Sequence, residues 1–337
     1  MEALPGLTAQ AAGEAAWLTG LLAFFPFLLL YWLLASLLRG ERGLAAAYRD
    51  SLGRWLGKGV SILYMVWGIY LMAAEGRLYA ERLLAAGYRS APPAVFTAIL
   101  LGVLLWVGRK KLAGFARAAE ICYLALALAV ALVLAFSILG ATPEYVLPVW
   151  FSDLPTAAAA TLIPVGALSC GVYGAFLTGR VIPREGDRRR GALWLAAGCG
   201  ALALLQFGVL AQLGAGLSGQ LDAPFFEVAR GVGVQGAFQR VEAVVIAVWI
   251  FSDFILLGLL LFAIREAGRE TFGEKWGRRC VPAALLLAFL AGLFLFPDDF
   301  SAKRAARTAI PTGNLILAFL LPGLALLCKT VKRQRRR

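Results

Sequence analysis

Histidine is absent from the chain. Without an imidazole, histidine metal sites and serine–histidine–aspartate triads are excluded. Charge is scarce as well. Asp, Glu, Lys and Arg make up 16% of the 337 residues, against roughly a quarter in a soluble domain. No two cysteines have the Cys-x-x-Cys spacing. Cys122, Cys170, Cys199, Cys280 and Cys328 lie in or beside apolar runs, where they read as small packing residues rather than disulfide partners or metal ligands. The sequence has no phosphate-binding P-loop, no dinucleotide fingerprint after a strand, no His-Glu-x-x-His and no catalytic dyad. These absences imply no enzyme, no cofactor and no metal.

What is present is apolar: 61% of the residues are hydrophobic. A soluble fold of this length cannot bury that much apolar surface, whereas a bilayer accepts it as its own solvent. The net charge of +13 raises the question of nucleic acid. The Lys and Arg argue against it, because they form short clusters between apolar runs instead of a stripe on one face. The fold class is therefore an all-α polytopic membrane protein, with 1–337 as a single integral membrane domain.

About 20 apolar residues cross a hydrocarbon core of about 30 Å. On that rule the chain offers about nine transmembrane helices, at 15–38, 59–82, 92–107, 118–140, 157–179, 191–216, 238–263, 281–297 and 310–328. Residues 1–14 hold no span and no basic n-region, so no cleavable signal peptide is expected. The loops set the orientation. Segments 39–58 (Arg39, Arg42, Arg49, Arg54, Lys58), 108–117 (Arg109, Lys110, Lys111, Arg117), 180–190 (Arg180, Arg184, Arg188, Arg189, Arg190) and 264–279 (Arg265, Arg269, Lys275, Arg278, Arg279) alternate along the chain, and the tail 329–337 adds Lys329, Lys332, Arg333, Arg335, Arg336 and Arg337. These segments carry 25 basic residues, against five in the intervening loops: Arg89, Arg230, Lys303, Arg304 and Arg307. The positive-inside rule then puts the N-terminus outside and the basic tail in the cytoplasm. Loop 217–237 contains Pro224, Phe225 and Phe226, with Asp222 just before them. It predicts a short amphipathic surface helix with Pro224 in its first turn.

Ionisable and polar groups at membrane depth are costly, so each marks either a functional site or an inter-helix contact. In 59–82, Tyr64, Gly68, Leu71, Glu75, Tyr79 and Arg82 share one face at helical spacing. That face reads as lining of a ligand pathway or as an ion-pair layer. Arg77 and Glu81 are four apart and can pair. The fifth span carries Pro164 followed by Gly166, Gly171 and Gly174, with Ser169 between them. It predicts a helix broken near 163–171, which would free backbone groups for a ligand; a kinked, closely packed helix is the other reading. In the seventh span Arg240 and Glu242 suit a salt bridge at the outer end. Asp253 lies on nearly the same face as Glu242 and about 16 Å deeper, near the bilayer middle, and needs a cavity or a partner. The candidate ligand residues are Tyr64, Glu75, Pro164, Gly166, Ser169, Gly171 and Asp253. The candidate structural ion pairs are Arg77–Glu81 and Arg240–Glu242.

The order of several segments resembles the B subunits of spore germinant receptors, the germination permeases among the amino-acid/polyamine/organocation transporters. The resemblance runs over essentially the whole chain. It rests on Leu4-Pro5 through Trp17-Leu18, Leu52-Gly53-Arg54-Trp55-Leu56-Gly57-Lys58, Arg77 with Glu81, Pro224-Phe225-Phe226, and Gln239-Arg240-Val241-Glu242-Ala243 followed by Trp249. It implies a transporter-like inverted repeat of five plus five helices. The spans here supply four (15–140) and five (157–328), so the family's first helix is expected to be lacking. It also implies a ligand site made by broken helices, to which 157–179, 59–82 and 238–263 would contribute.

The resemblance further implies a multi-pass protein of the spore inner membrane or cell membrane. It would sense a small nutrient, an amino acid, and act with an A-type membrane subunit and a C-type lipoprotein. An ion-coupled amino-acid permease using Asp253, and a scaffold that binds no ligand, are the other functions compatible with the residues.

Overall fold

The structure is a computed structural model that describes residues 3–41, 43–85, 91–147, 149–180, 187–231 and 241–335. It opens with α1 (Leu4–Ala12), a 3-10 turn at Gly13–Trp17, α2 (Leu18–Leu22) and α3 (Phe24–Leu37), followed by α4 (Leu44–Leu52), α5 (Arg54–Ala85), α6 (Pro93–Gly108) and α7 (Leu112–Leu139). Two short 3-10 turns lead into α8 (Leu154–Ala160), α9 (Leu162–Leu168) and a 3-10 segment, Ser169–Phe176. Then come α10 (Asp187–Gln220), α11 (Pro224–Gly231), α12 (Val241–Phe272), α13 (Glu274–Leu295), α14 (Asp299–Arg307), α15 (Ala309–Leu315), a π-helical turn at Ile316–Leu320 and α16 (Leu321–Arg335). No strand occurs among the described residues.

Leu- and Ala-rich runs favour helix, and the stops between them have local causes. Gly53 and Gly273 adopt φ of 93° and 104°, a region only glycine enters freely. Their N–H groups close onto Arg49 O (3.1 Å) and Arg269 O (2.9 Å), ending α4 and α12. Pro92 and Pro93 start α6, where the missing N–H leaves no helical bond unmade. Asp298 caps α14 by accepting the Ser301 N–H at 2.7 Å.

Among the described residues, seven helices are long and apolar enough to cross a membrane: Leu4–Leu37, Arg54–Leu84, Leu112–Ala135, Phe151–Phe176, Arg189–Gln220, Glu274–Leu295 and Asp299–Lys332. Pro93–Gly108 is apolar but shorter. The 32-residue α12 carries Asp253, Arg265 and Glu266. The chain is an all-α polytopic membrane protein.

Three sequence expectations change. The first apolar helix begins at Leu4 rather than 15, because its opening stretch of small residues is helical and buried even though its hydropathy is modest. Basic ends taken for loop are helical, so α5 starts at Arg54 and α12 runs to Phe272. The break in the fifth span falls at two places: α8 and α9 part at Thr161, where Pro164 has no N–H to offer the Ala160 carbonyl, and α-helical bonding gives way to 3-10 at Ser169. Arg240 and the Glu242 side chain lie outside the described residues.

Close contacts group the chain into two compact units, each drawing on both sequence halves. One comprises 1–29, 124–168 and 183–249; the other comprises 30–123, 169–182 and 250–337. The first unit is packed largely by alanine. Ala9, Ala12, Ala15, Ala16, Ala157, Ala160 and Ala211 pack with Val146 and Leu210, and such small residues let helix backbones approach closely. A Cβ on Gly20 would lie 2.6 Å from the Ala203 nitrogen. Gln206, fully buried, is the polar centre. Thr8 donates to Leu4 O (2.8 Å) and Thr19 to Ala16 O (2.6 Å), which leaves both hydroxyl oxygens to accept from the Gln206 amide, at 3.2 and 3.1 Å. The expected surface helix is α11. Its Phe226 stacks on Trp249 at 4.5 Å between ring centres, and Phe225 meets the same ring edge-on at 5.1 Å.

Candidate functional site

The site is built in the second unit around α5. Glu75 and Arg82 are seven residues apart, two turns of one helix face. The Arg82 guanidinium donates from one terminal nitrogen to Glu75 at 2.9 Å and from the other to Asp253 of α12. The three side chains are 21%, 17% and 7% exposed, in the order Glu75, Arg82, Asp253, so water screens them weakly. Arg82 thus bridges the two carboxylates and ties α5 to α12.

Tyr79, one turn beyond Glu75 on the same helix, is 7% exposed. Ser169 and Gly171 lie in the first turn of the 3-10 segment. Ser169 is fully buried and Gly171 exposed, with open space where a Cβ would be. Pro164 and Gly166 are buried on α9 in the first unit.

Tyr64 belongs to a separate part of the same helix, eleven residues or about 16 Å before Glu75. It is fully buried. Its hydroxyl donates to Leu317 O in the π-helical turn and so accepts from the Tyr48 hydroxyl at 2.8 Å. Tyr173 donates to Tyr64 O at 2.7 Å, and the rings of Tyr173 and Phe176 pack edge-on against Tyr64. One turn on, Trp67 donates to the buried Asn314 at 3.0 Å. The aromatic face of α5 is thus occupied by packing, while its Glu75–Arg82 end carries the charge. Arg77 and Glu81 pair at 2.7 Å on a different side of the helix. Among the described residues no group of acids and thiols is placed to hold a metal ion.

Sequence spacing put Arg82 on the right face but gave it no role. The signal was there, since two intramembrane acids require a partner and Arg82 shares the face of one of them. Because Arg82 is in the last turn of α5, the cluster lies toward that end of the helix and not at its middle. Gln206 was passed over altogether, although an amide in the middle of an apolar span is itself a sign of an inter-helix contact.

No curated protein matches the chain. Residues 3–300 match the model of the spore germination protein family, and with that extent of agreement the chain belongs to this family.

Proposed function

We propose that this chain is the nutrient-sensing membrane subunit of a spore germinant receptor, with an amino acid as its ligand. The observation that supports this reading is the Glu75–Arg82–Asp253 cluster, two acids and a guanidinium held together at low exposure on apolar helices. An α-amino acid carries both signs of charge. Its ammonium group fits the carboxylates of the cluster, and its carboxylate fits the backbone N–H groups of a broken helix. The ligand residues are Glu75, Asp253, Ser169 and Gly171, with Tyr64 bracing the far end of α5.

The basic loops and tail face the cytoplasm, the N-terminus faces outward, and the membrane is the spore inner membrane. The partners are the A-type membrane subunit and the C-type lipoprotein, and a change at the cluster passes to them.

The same buried acids favour a second reading, an amino-acid permease coupled to a cation or proton. Spores lacking the gene and complemented with it separate the two. A sensor restores germination in an amino-acid mixture without accumulating radiolabelled amino acids. Accumulation above that of the deletion strain would replace sensing by transport. Failure of the wild-type gene to restore any response would remove both readings.

A further inference from the structure

α4 is short and lies between two long helices, yet other elements hold both of its ends. Leu44, Ala45, Ala47, Tyr48 and Ser51 are buried, whereas Arg49 and Asp50 are exposed. At the N-terminal end a Glu270 carboxylate oxygen from α12 accepts the Ala46 N–H at 3.1 Å. At the other end Lys332 of α16 donates to the Asp50 carbonyl at 3.1 Å, and Lys329 lies 4.0 Å from the Asp50 carboxylate. An acid at the N-terminus and lysines at the C-terminus both complement the helix dipole.

A third element enters at Gly43. A Cβ there would lie 2.9 Å from Glu270 Oε1 and 3.3 Å from the carbonyl oxygen of Phe176, the last residue of the 3-10 segment. The Gly43 backbone, the Glu270 carboxylate and the end of that segment fill the space so closely that a methyl group cannot enter without moving one of them. The same two elements meet again through Tyr64, which touches Tyr48 of α4 on one side and Tyr173 and Phe176 of the segment on the other.

We propose that Gly43 and Glu270 form a catch through which the 3-10 segment 169–176 and α4 change conformation together. α4 thereby carries a change at Ser169–Gly171 to the membrane face that bears the basic loops. The segment spans that interval, since eight residues of 3-10 helix rise about 16 Å. What sets the catch in motion rests on the sensing site proposed above, but the linkage itself needs no ligand.

Hydrogen–deuterium exchange on the full chain in lipid nanodiscs, with no amino acid added, reads it directly. Gly43→Ala displaces the Glu270 carboxylate from Ala46 and presses on Phe176. Exchange should rise in both 44–52 and 169–176, by about fivefold, the size of losing a helix N-cap, while 274–295 keeps its rate. Tyr173→Phe adds no bulk near Gly43 and perturbs the other end by removing the bond to Tyr64 O; exchange at 44–52 should rise together with that at 169–176. A rise confined to the mutated element in either variant overturns the linkage, and a Gly43→Ala protein with wild-type rates in both segments overturns the catch. Neither failure touches the sensing proposal, because no nutrient is present.

Discussion

Removing Arg82 should be among the most damaging single changes in the α5 region, because the ion pairs it makes are largely buried. Arg82→Leu removes the guanidinium that bridges Glu75 and Asp253 and leaves the two acids to repel each other. Removing one partner of a buried ion pair costs about 3–5 kcal/mol, so a loss of that size is expected. Arg77→Leu is the internal control. It breaks an i,i+4 pair on the same helix and should cost about 0.5 kcal/mol. Equilibrium unfolding in mixed micelles of rising SDS fraction, followed through the nine tryptophans, measures both. The triple variant Arg82→Leu, Glu75→Gln, Asp253→Asn should recover most of the loss, because it removes the repulsion that caused it. Arg82→Leu unfolding at the wild-type SDS fraction would refute this charge argument.

Other consequences are as direct. Gln206→Leu strands the Thr8 and Thr19 hydroxyl oxygens that accept from the amide, and the same unfolding assay should register a loss of about 1–3 kcal/mol; an unchanged transition would mean that the amide holds nothing together. The orientation predicts that a cysteine replacing Arg188 stays unlabelled when an impermeant maleimide is added outside intact cells, and labelling there would invert the topology. The N–H of Ser301 holds the Asp298 carboxyl below its ordinary value of 3.8. A depressed carboxyl stabilises the fold at pH above its unfolded value, and that contribution is lost as pH falls below 3.8 through the folded value. Exchange of the Ser301 amide should accelerate over that acid range in the wild-type protein and show no such step in Asp298→Ala.

How much of this was readable beforehand depends on the range of the interaction. The apolar runs that make spans are local properties, and they emerged near the expected positions in α5, α7, α10, α13 and α16. Their ends did not. A helix continues past the apolar stretch when its polar ends have partners, and those partners are remote in sequence. Arg54–Lys58 and Arg265–Phe272 are helical beyond the expected limits, and Glu270 finds the N-terminus of α4. The pair Arg77–Glu81 was legible because both residues stand on one helix at a spacing that fixes their distance. Arg82 with Asp253 was not, because 171 residues separate them and only the folded chain brings them together. The interruption at Pro164 was legible because its effect is local: proline has no N–H for the carbonyl four residues back, and α8 stops at that residue, Ala160.

The central claim is that the carboxylates of the cluster receive a nutrient's ammonium group. Asp253→Asn tests it. The variant keeps the size and much of the hydrogen bonding of Asp253, and it leaves the Arg82–Glu75 pair in place. Spores carrying this variant should hold wild-type amounts of the protein in their membrane and lose most of their germination response to an amino-acid mixture. A full response at normal abundance would show that the charge of Asp253 serves no ligand, and that the cluster only ties α5 to α12.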